Sequence, residues 1–145
     1  MFLTHEFVQY IPGDLKEGTI YISIEFATAV HKCCCGCGNT VVTPFSPTDW
    51  KLIFDGESIS LDPSIGNWSF PCRSHYWIKH NKIKWAAQWS QEKINAGRVR
   101  DWSEKERYYE RAKARSVSAT DSSVTMLDQN KRRESFWRRV KRWLS

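Results

Sequence analysis

Four of the five cysteines in this chain fall within five residues, in Cys33-Cys34-Cys35-Gly36-Cys37-Gly38, and the fifth follows in Cys72-Arg73-Ser74-His75. Packing alone does not explain four adjacent thiols, so the fold has to give them a common purpose. A metal centre built from two distant segments does so. Zinc takes four ligands in a tetrahedron and is well served by thiolates. Gly36 and Gly38 let the backbone turn closely around an ion. Two closures fit the spacing. One is Cys33, Cys35, Cys37 and Cys72. The other omits a clustered cysteine and uses His75, because Cys72-x-x-His75 has ligand spacing. Four cysteines would make a closed, structural site, whereas a histidine ligand leaves either role open.

A length of 145 residues fits one domain with extensions, and a core this small gains from a metal staple. Hydrophobic residues make up 41%, with eight tryptophans, so a packed core is feasible. No run approaches the roughly 18 apolar residues of a membrane span, and the first residues lack the pattern of a signal peptide. The expected compartment is therefore the cytoplasm, where thiols stay reduced and clustered cysteines read as metal ligands rather than disulfides.

Residues 1–89 read as β. Thr19–Ile24 is β-branched with alternating apolar residues, and the strand is expected to continue through residues 25–30 into the cysteine loop. Thr40–Thr43 leaves that loop, and Pro44 and Pro47 end the pairing. Trp50–Phe54 and Ser58–Leu61 flank Asp55-Gly56, a hairpin signal, and His75–Lys79 with Lys82–Trp85 form a second hairpin. Five to seven short strands are expected. From Ser90 the pattern is helical. A short helix ends at Gly97, and Ser103-Glu104-Lys105-Glu106 matches a capping box that starts a helix running to Arg115. Ser/Thr-rich residues 116–130 read as a flexible linker. In 131–145, Phe136, Trp137, Val140, Trp143 and Leu144 fall on one face of a basic amphipathic helix. The expected fold is α+β: a small, mostly antiparallel β-domain stapled by zinc, with C-terminal helical extensions.

If the cysteines complete the metal site, His75 is free for chemistry. Adjacent strand residues point to opposite faces, which makes Ser74 a poor partner for it. Ser64, in Pro63-Ser64-Ile65-Gly66-Asn67, is expected on an exposed turn after the strand at 58–61. A serine nucleophile needs a histidine within hydrogen-bond reach and an oxyanion donor. Asp62 or Glu57 would orient His75, and amides near Gly66 or the Asn67 side chain would hold the oxyanion.

These residues together carry a resemblance. Cys33-Cys34-Cys35-Gly36-Cys37-Gly38, Trp50, Pro63-Ser64-Ile65, Cys72-Arg73-Ser74-His75-Tyr76-Trp77 and Trp85 resemble a small bacterial family of unknown function, encoded beside ubiquitin-like proteins and their activating and conjugating enzymes in anti-phage operons. The likeness covers residues 18–89. The family pattern has proline where this chain has Cys34, which implies Cys33, Cys35, Cys37 and Cys72 as ligands of a structural zinc, with Cys34 spare. It also implies a peptidase, with Ser64 as nucleophile and His75 as base, that trims a ubiquitin-like precursor or removes the protein from targets. The rival is a non-enzymatic zinc adaptor that binds the ubiquitin-like protein or its conjugating enzyme. A third reading is a zinc hydrolase with His75 as ligand.

The net charge of +6 is concentrated in the tail. A basic helix with tryptophans can dock on a partner groove or on its own β-domain, or lie on an anionic membrane. Self-docking or a partner is the favoured reading. A lone terminal helix lacks the scaffold that reading nucleic-acid bases requires.

Overall fold

The computed structural model describes the backbone of residues 1–143 and the side chains of residues 1–117. Eight strands form two sheets: β1 (Thr4–Phe7), β2 (Thr19–Ser23), β3 (Thr28–Lys32) and β4 (Thr40–Pro44) in one, and β5 (Lys51–Phe54), β6 (Ile59–Gly66), β7 (His75–Lys79) and β8 (Lys82–Trp85) in the other. Pairing is antiparallel except between β1 and β2. With helix α1 (Gln91–Trp143), the class is α+β. Among the described residues, no helix is long and apolar enough to cross a membrane.

The chain divides into two units, Met1–Val99 and Arg100–Ser145. In the first, the sheets share one core. Ile20, Ile22, Ala29 and Val41 of the first sheet cluster with Ile59, Leu61, Ile65, Tyr76, Ile78 and Ile83 of the second. Burying each large aliphatic side chain contributes about 1.5–3 kcal/mol, so this seam supplies most of the drive to fold.

Both hairpins lie where their turn residues place them. Asp55 accepts hydrogen bonds from the Ser58 hydroxyl and from the amides of Glu57 and Ser58, closing the β5–β6 turn. These bonds, led by the hydroxyl, hold its carboxyl below the usual carboxylate range. His80 and Asn81, at φ 48° and 60°, make the β7–β8 turn. Asn81 then ties the sheets together, since its carbonyl accepts from the Leu3 amide while its side-chain oxygen accepts from the Ile59 amide.

The expected long strand over 19–30 is interrupted. The chain turns at 24–27, where Ala27 takes a positive φ of 45° and its amide donates to the Ile24 carbonyl, and β3 returns antiparallel to β2. A turn carried by an alanine in the left-handed region has no glycine or proline to announce it.

Helix α1 starts at the Ser90 cap, whose hydroxyl accepts from the Lys93 amide. Ile94 is 2% exposed, which brings the first turns into the β unit. The expected capping box at Ser103 is not one: its hydroxyl donates to the Arg100 carbonyl one turn back, as it does inside a helix. Gly97 lies inside α1 rather than at an end, and residues 116–130, read as a linker, also lie within it. No glycine or proline follows Gly97, so nothing in the backbone chemistry ends the helix. The apolar face expected from Phe136 to Leu144 lies outside the residues whose side chains are described.

Candidate active site and metal centre

The β3–β4 loop carries the cysteine cluster. The Cys33 amide donates to the Asn39 carbonyl, and the Gly36 amide to the Cys33 carbonyl. Gly36 and Gly38 stand at φ 82° and 78°, a conformation that strongly favours glycine here. Cys72 arrives from the second sheet, just before β7. The sulfurs of Cys33, Cys35, Cys37 and Cys72 all lie within 4.8 Å of one another, close enough to hold a metal ion. Sulfur pairs stand at 3.3 Å for Cys33–Cys35, 3.9 Å for Cys33–Cys72 and 3.6 Å for Cys37–Cys72. Four thiolates at about 2.3 Å around one zinc would be spaced about 3.8 Å apart, so the donor set fits such an ion. The Cys34 thiol is packed in the core, and burial pushes it up to about 11.

Polar side chains surround the sulfurs. The Ser74 hydroxyl lies 3.1 Å from Cys33 Sγ and 3.6 Å from Cys72 Sγ. Asn39 Nδ2 donates to Cys37 Sγ at 3.2 Å, and the backbone amide of Asn39 is the main cause that draws the Cys37 thiol down to about 6. Asn67, 8% exposed, points its amide nitrogen at Ser74 Oγ (2.9 Å), Tyr76 Oη (3.4 Å) and Cys33 Sγ (3.7 Å). That inward orientation removes Asn67 from the oxyanion role. Tyr76 Oη lies 2.9 Å from Nε2 of fully buried His31.

On the opposite face of the same strand, His75 turns away from the sulfurs. Its Nε2 lies 2.9 Å from Ser64 Oγ, and its Nδ1 lies 2.9 Å from the carbonyl oxygen of Ala87. A carbonyl can only accept, so Nδ1 carries the proton and donates it there. Nε2 is then the lone-pair nitrogen that accepts from the Ser64 hydroxyl. Neither nitrogen is left for a metal. Asp62 and Glu57, expected to orient the ring, do not touch it, and the orienting group is a main-chain carbonyl. Every residue carries such a carbonyl, so no residue type marks it in the sequence. The segment is nevertheless fixed by register: β8 pairs with β7, and just past it the Ala86 amide donates to the His75 carbonyl.

Ser64 does not sit on an exposed turn. β6 runs through it, and the ladder with β7 is irregular between Leu61 and Ile65. Such a bulge re-aims side chains at a sheet surface. Beyond it Ile65 pairs with Tyr76 and Gly66 with His75, so Ser64 and His75 lie on one face. Three indoles surround the imidazole, with ring centroids at 4.9 Å (Trp68), 5.3 Å (Trp89) and 5.8 Å (Trp77). Trp68 and Trp89 stack on each other, and Trp89 in turn lies against α1, where a methyl on Gly97 would come within 3.2 Å of it. His75 is left 5% exposed. A second serine and histidine, Ser58 and His80, also meet, but the Ser58 proton goes to Asp55 and not to the ring, in an exposed turn.

An oriented imidazole accepting a proton from a half-buried serine is the arrangement found in hydrolases that use serine as a nucleophile. The class this site defines is a small α+β protein of two sheets, with a serine–histidine pair on one face of the β6–β7 ladder and a four-thiol cluster toward the other. Residues 7–86 match the family described as bacterial ubiquitination-like system serine protease (BubE), and the chain belongs to that family. No curated protein and no solved structure showed significant similarity.

Proposed function

We propose that this protein is a peptidase of a bacterial ubiquitin-like conjugation pathway, which trims the ubiquitin-like precursor or releases the protein from its targets. The observation that carries the reading is the chain of hydrogen bonds from Ser64 through His75 to the Ala87 carbonyl, each 2.9 Å long. Family membership supports the peptidase role and the pathway.

Ser64 Oγ attacks the carbonyl carbon of the scissile bond as its proton passes to His75 Nε2. The Ala87 carbonyl holds the ring in the tautomer that leaves Nε2 free and then accepts from the imidazolium. His75 returns the proton to the leaving group, and an acyl-enzyme remains on Ser64. Water then attacks the acyl carbon, giving its proton to Nε2. The carboxylate product departs, and the proton returns to Ser64. The indoles of Trp68, Trp77 and Trp89 restrict water around the ring, which strengthens the hydrogen bonds on which this transfer depends.

Zinc held by Cys33, Cys35, Cys37 and Cys72 would be structural, since four thiolates leave no position for water. It would join the β3–β4 loop to Cys72, three residues before His75, the first residue of β7. Ser74 between them faces the sulfurs, so the metal would fix the register from which His75 points the other way.

Incubation of the full chain with the ubiquitin-like precursor of its own pathway tests the reading. Wild type is expected to cleave, and Ser64→Ala and His75→Ala to lose at least about a thousandfold in rate. Cleavage that survives both substitutions would exclude the pair. Tight binding with no cleavage would mark an adaptor instead.

A further inference from the structure

The sheet face that carries Ser64 and His75 differs in charge from the rest of the β unit. Residues 1–89 hold seven lysines and arginines against eight acids. Four of the seven, Lys51, Lys79, Lys82 and Lys84, stand on β5–β8, whereas of the acids only Asp62 does. Strand alternation puts all five on the side of the serine. On β7, Tyr76 and Ile78 enter the core, so His75, Trp77 and Lys79 take the outer face. Register extends that face across the sheet: Lys84 stands opposite Trp77, Lys82 opposite Lys79 and Lys51 opposite Asp62. Asp62 belongs there as well, since its carboxylate reaches the Lys79 ammonium at 3.8 Å. Four ammonium groups against one carboxylate leave the face three charges positive.

Two lysines bring this charge close to the reacting atoms. The register that sets Tyr76 against Trp85 sets His75 against Ala86, whose amide donates to the His75 carbonyl. Exposed Lys84 is then the diagonal neighbour of the histidine, about 7–8 Å away. The Trp77 ring lies beside both, at 5.8 Å from the imidazole and on the strand position that pairs with Lys84. The second is Lys93, at the start of α1. Its ammonium stands 5.2 Å from the centre of the Trp89 ring, and Trp89 lies edge-on to His75 at 5.3 Å. Glu92 precedes Lys93, but consecutive helix residues point about 100° apart and do not share a face. Lysines on the edge strands β5 and β8 also deter edge-to-edge pairing. That role needs no common face, and it does not account for Lys79 on the inner strand β7.

We propose that this face selects an acidic substrate: the polypeptide carries Asp or Glu beside the scissile bond, and Lys84 receives the nearest of them. At about 3.3 Å per residue, an extended chain covers the roughly 7–8 Å from His75 to Lys84 in about two to three residues, which sets the distance of that acid from the bond. Lys51, Lys82 and Lys93 add a field that draws an anionic chain toward the serine. The occupant is a polypeptide because the Ser64–His75 pair on the same face acts on an acyl bond, and to that extent the inference rests on the peptidase reading above.

The test has a kinetic and a binding arm. Cleavage of the pathway's ubiquitin-like precursor is followed for wild type, Lys84→Glu, Lys84→Arg and Lys16→Glu at low and high salt. Calorimetry measures binding of the same precursor to Ser64→Ala with and without Lys84→Glu. Lys84→Glu is expected to raise KM and Kd about tenfold while kcat changes little, and Lys84→Arg to stay within about twofold of wild type. Lys16→Glu, exposed in the loop before β2, makes the same change in net charge away from this face and should leave KM unaltered. The Lys84→Glu effect should shrink in salt of about 1 M, where the screening length falls to about 3 Å. An unchanged KM in Lys84→Glu, or an equal rise in Lys16→Glu, with wild type cleaving, would overturn the acidic preference and leave the peptidase standing. If wild type does not cleave, the peptidase reading falls and the binding arm decides: a weakened Kd in Lys84→Glu supports the face, and an unchanged one rejects it. A single-stranded oligonucleotide is titrated into the same two proteins. Oligonucleotide binding that Lys84→Glu weakens, with precursor binding unchanged, would assign the face to nucleic acid and reject the proposal.

Discussion

Gly66→Ala is the smallest change that should reach the site. A methyl group there would overlap Nε1 of Trp68 and lie 2.5 Å from its Cε2 and 2.8 Å from its Cζ2. The backbone is not the obstacle, because Gly66 is an ordinary strand residue paired with His75 and is not in the left-handed region. Only the indole lying flat on the strand forbids a side chain. The ring cannot simply swing away, since it stacks on Trp89 at 5.6 Å and lies 4.9 Å from His75. Overpacking of this kind costs about 1–3 kcal/mol, and a broken aromatic pair adds about 0.5–1.5 kcal/mol. Gly66→Ala should therefore lose about 2–3 kcal/mol and unfold about 10–15 °C lower. Urea unfolding of wild type, Gly66→Ala, Trp68→Ala and the double variant provides the assay. Trp68→Ala alone removes a half-buried indole at a cost of about 2 kcal/mol, below the range for a fully buried one. In the double variant the three atoms nearest the methyl are gone, so the loss should stay within about 0.5 kcal/mol of Trp68→Ala alone. Additive losses would refute the steric account, as would a Gly66→Ala protein as stable as wild type.

Four further outcomes follow from the structure. Burial holds the His31 imidazole neutral, lowering it from 6.5 to about 4, so between those values the unfolded chain binds a proton that the folded chain refuses. The stability this gives wild type over His31→Gln is present above pH 6.5 and falls by about 3 kcal/mol toward pH 4; parallel urea-stability curves for the two proteins would contradict it. A chelator should lower the melting temperature of the zinc-loaded protein by about 20 °C or more, and Asn67→Ala, which removes the buried amide that donates to Ser74 and Tyr76, should cost about 1–3 kcal/mol; a melting curve indifferent to chelator would rule out a structural ion. Ser58→Ala with His80→Ala should cleave the precursor at the wild-type rate, because that pair serves the Asp55 turn; a large loss of activity would move the chemistry to the other serine and histidine.

Much of this protein is written in neighbouring residues. The cysteine cluster with its two glycines, the Asp55-Gly56 and His80-Asn81 hairpins and the alternating strand at β2 are local, so spacing and turn chemistry disclose them without the fold. The α+β class follows from the same patterns. Pairings across the core were not legible in this way. The sequence permitted His75 to join the sulfurs or to turn from them, and the pleat of β7 with the β6 bulge decided that it faces Ser64, since one step along a strand reverses a side chain. The Ala87 carbonyl, the inward turn of Asn67 and the indole packed on Gly66 are likewise products of register and packing. Which reactive groups the chain owns, and which turns it makes, can be read residue by residue. Which of those groups meet cannot, because that depends on how two sheets share a single core.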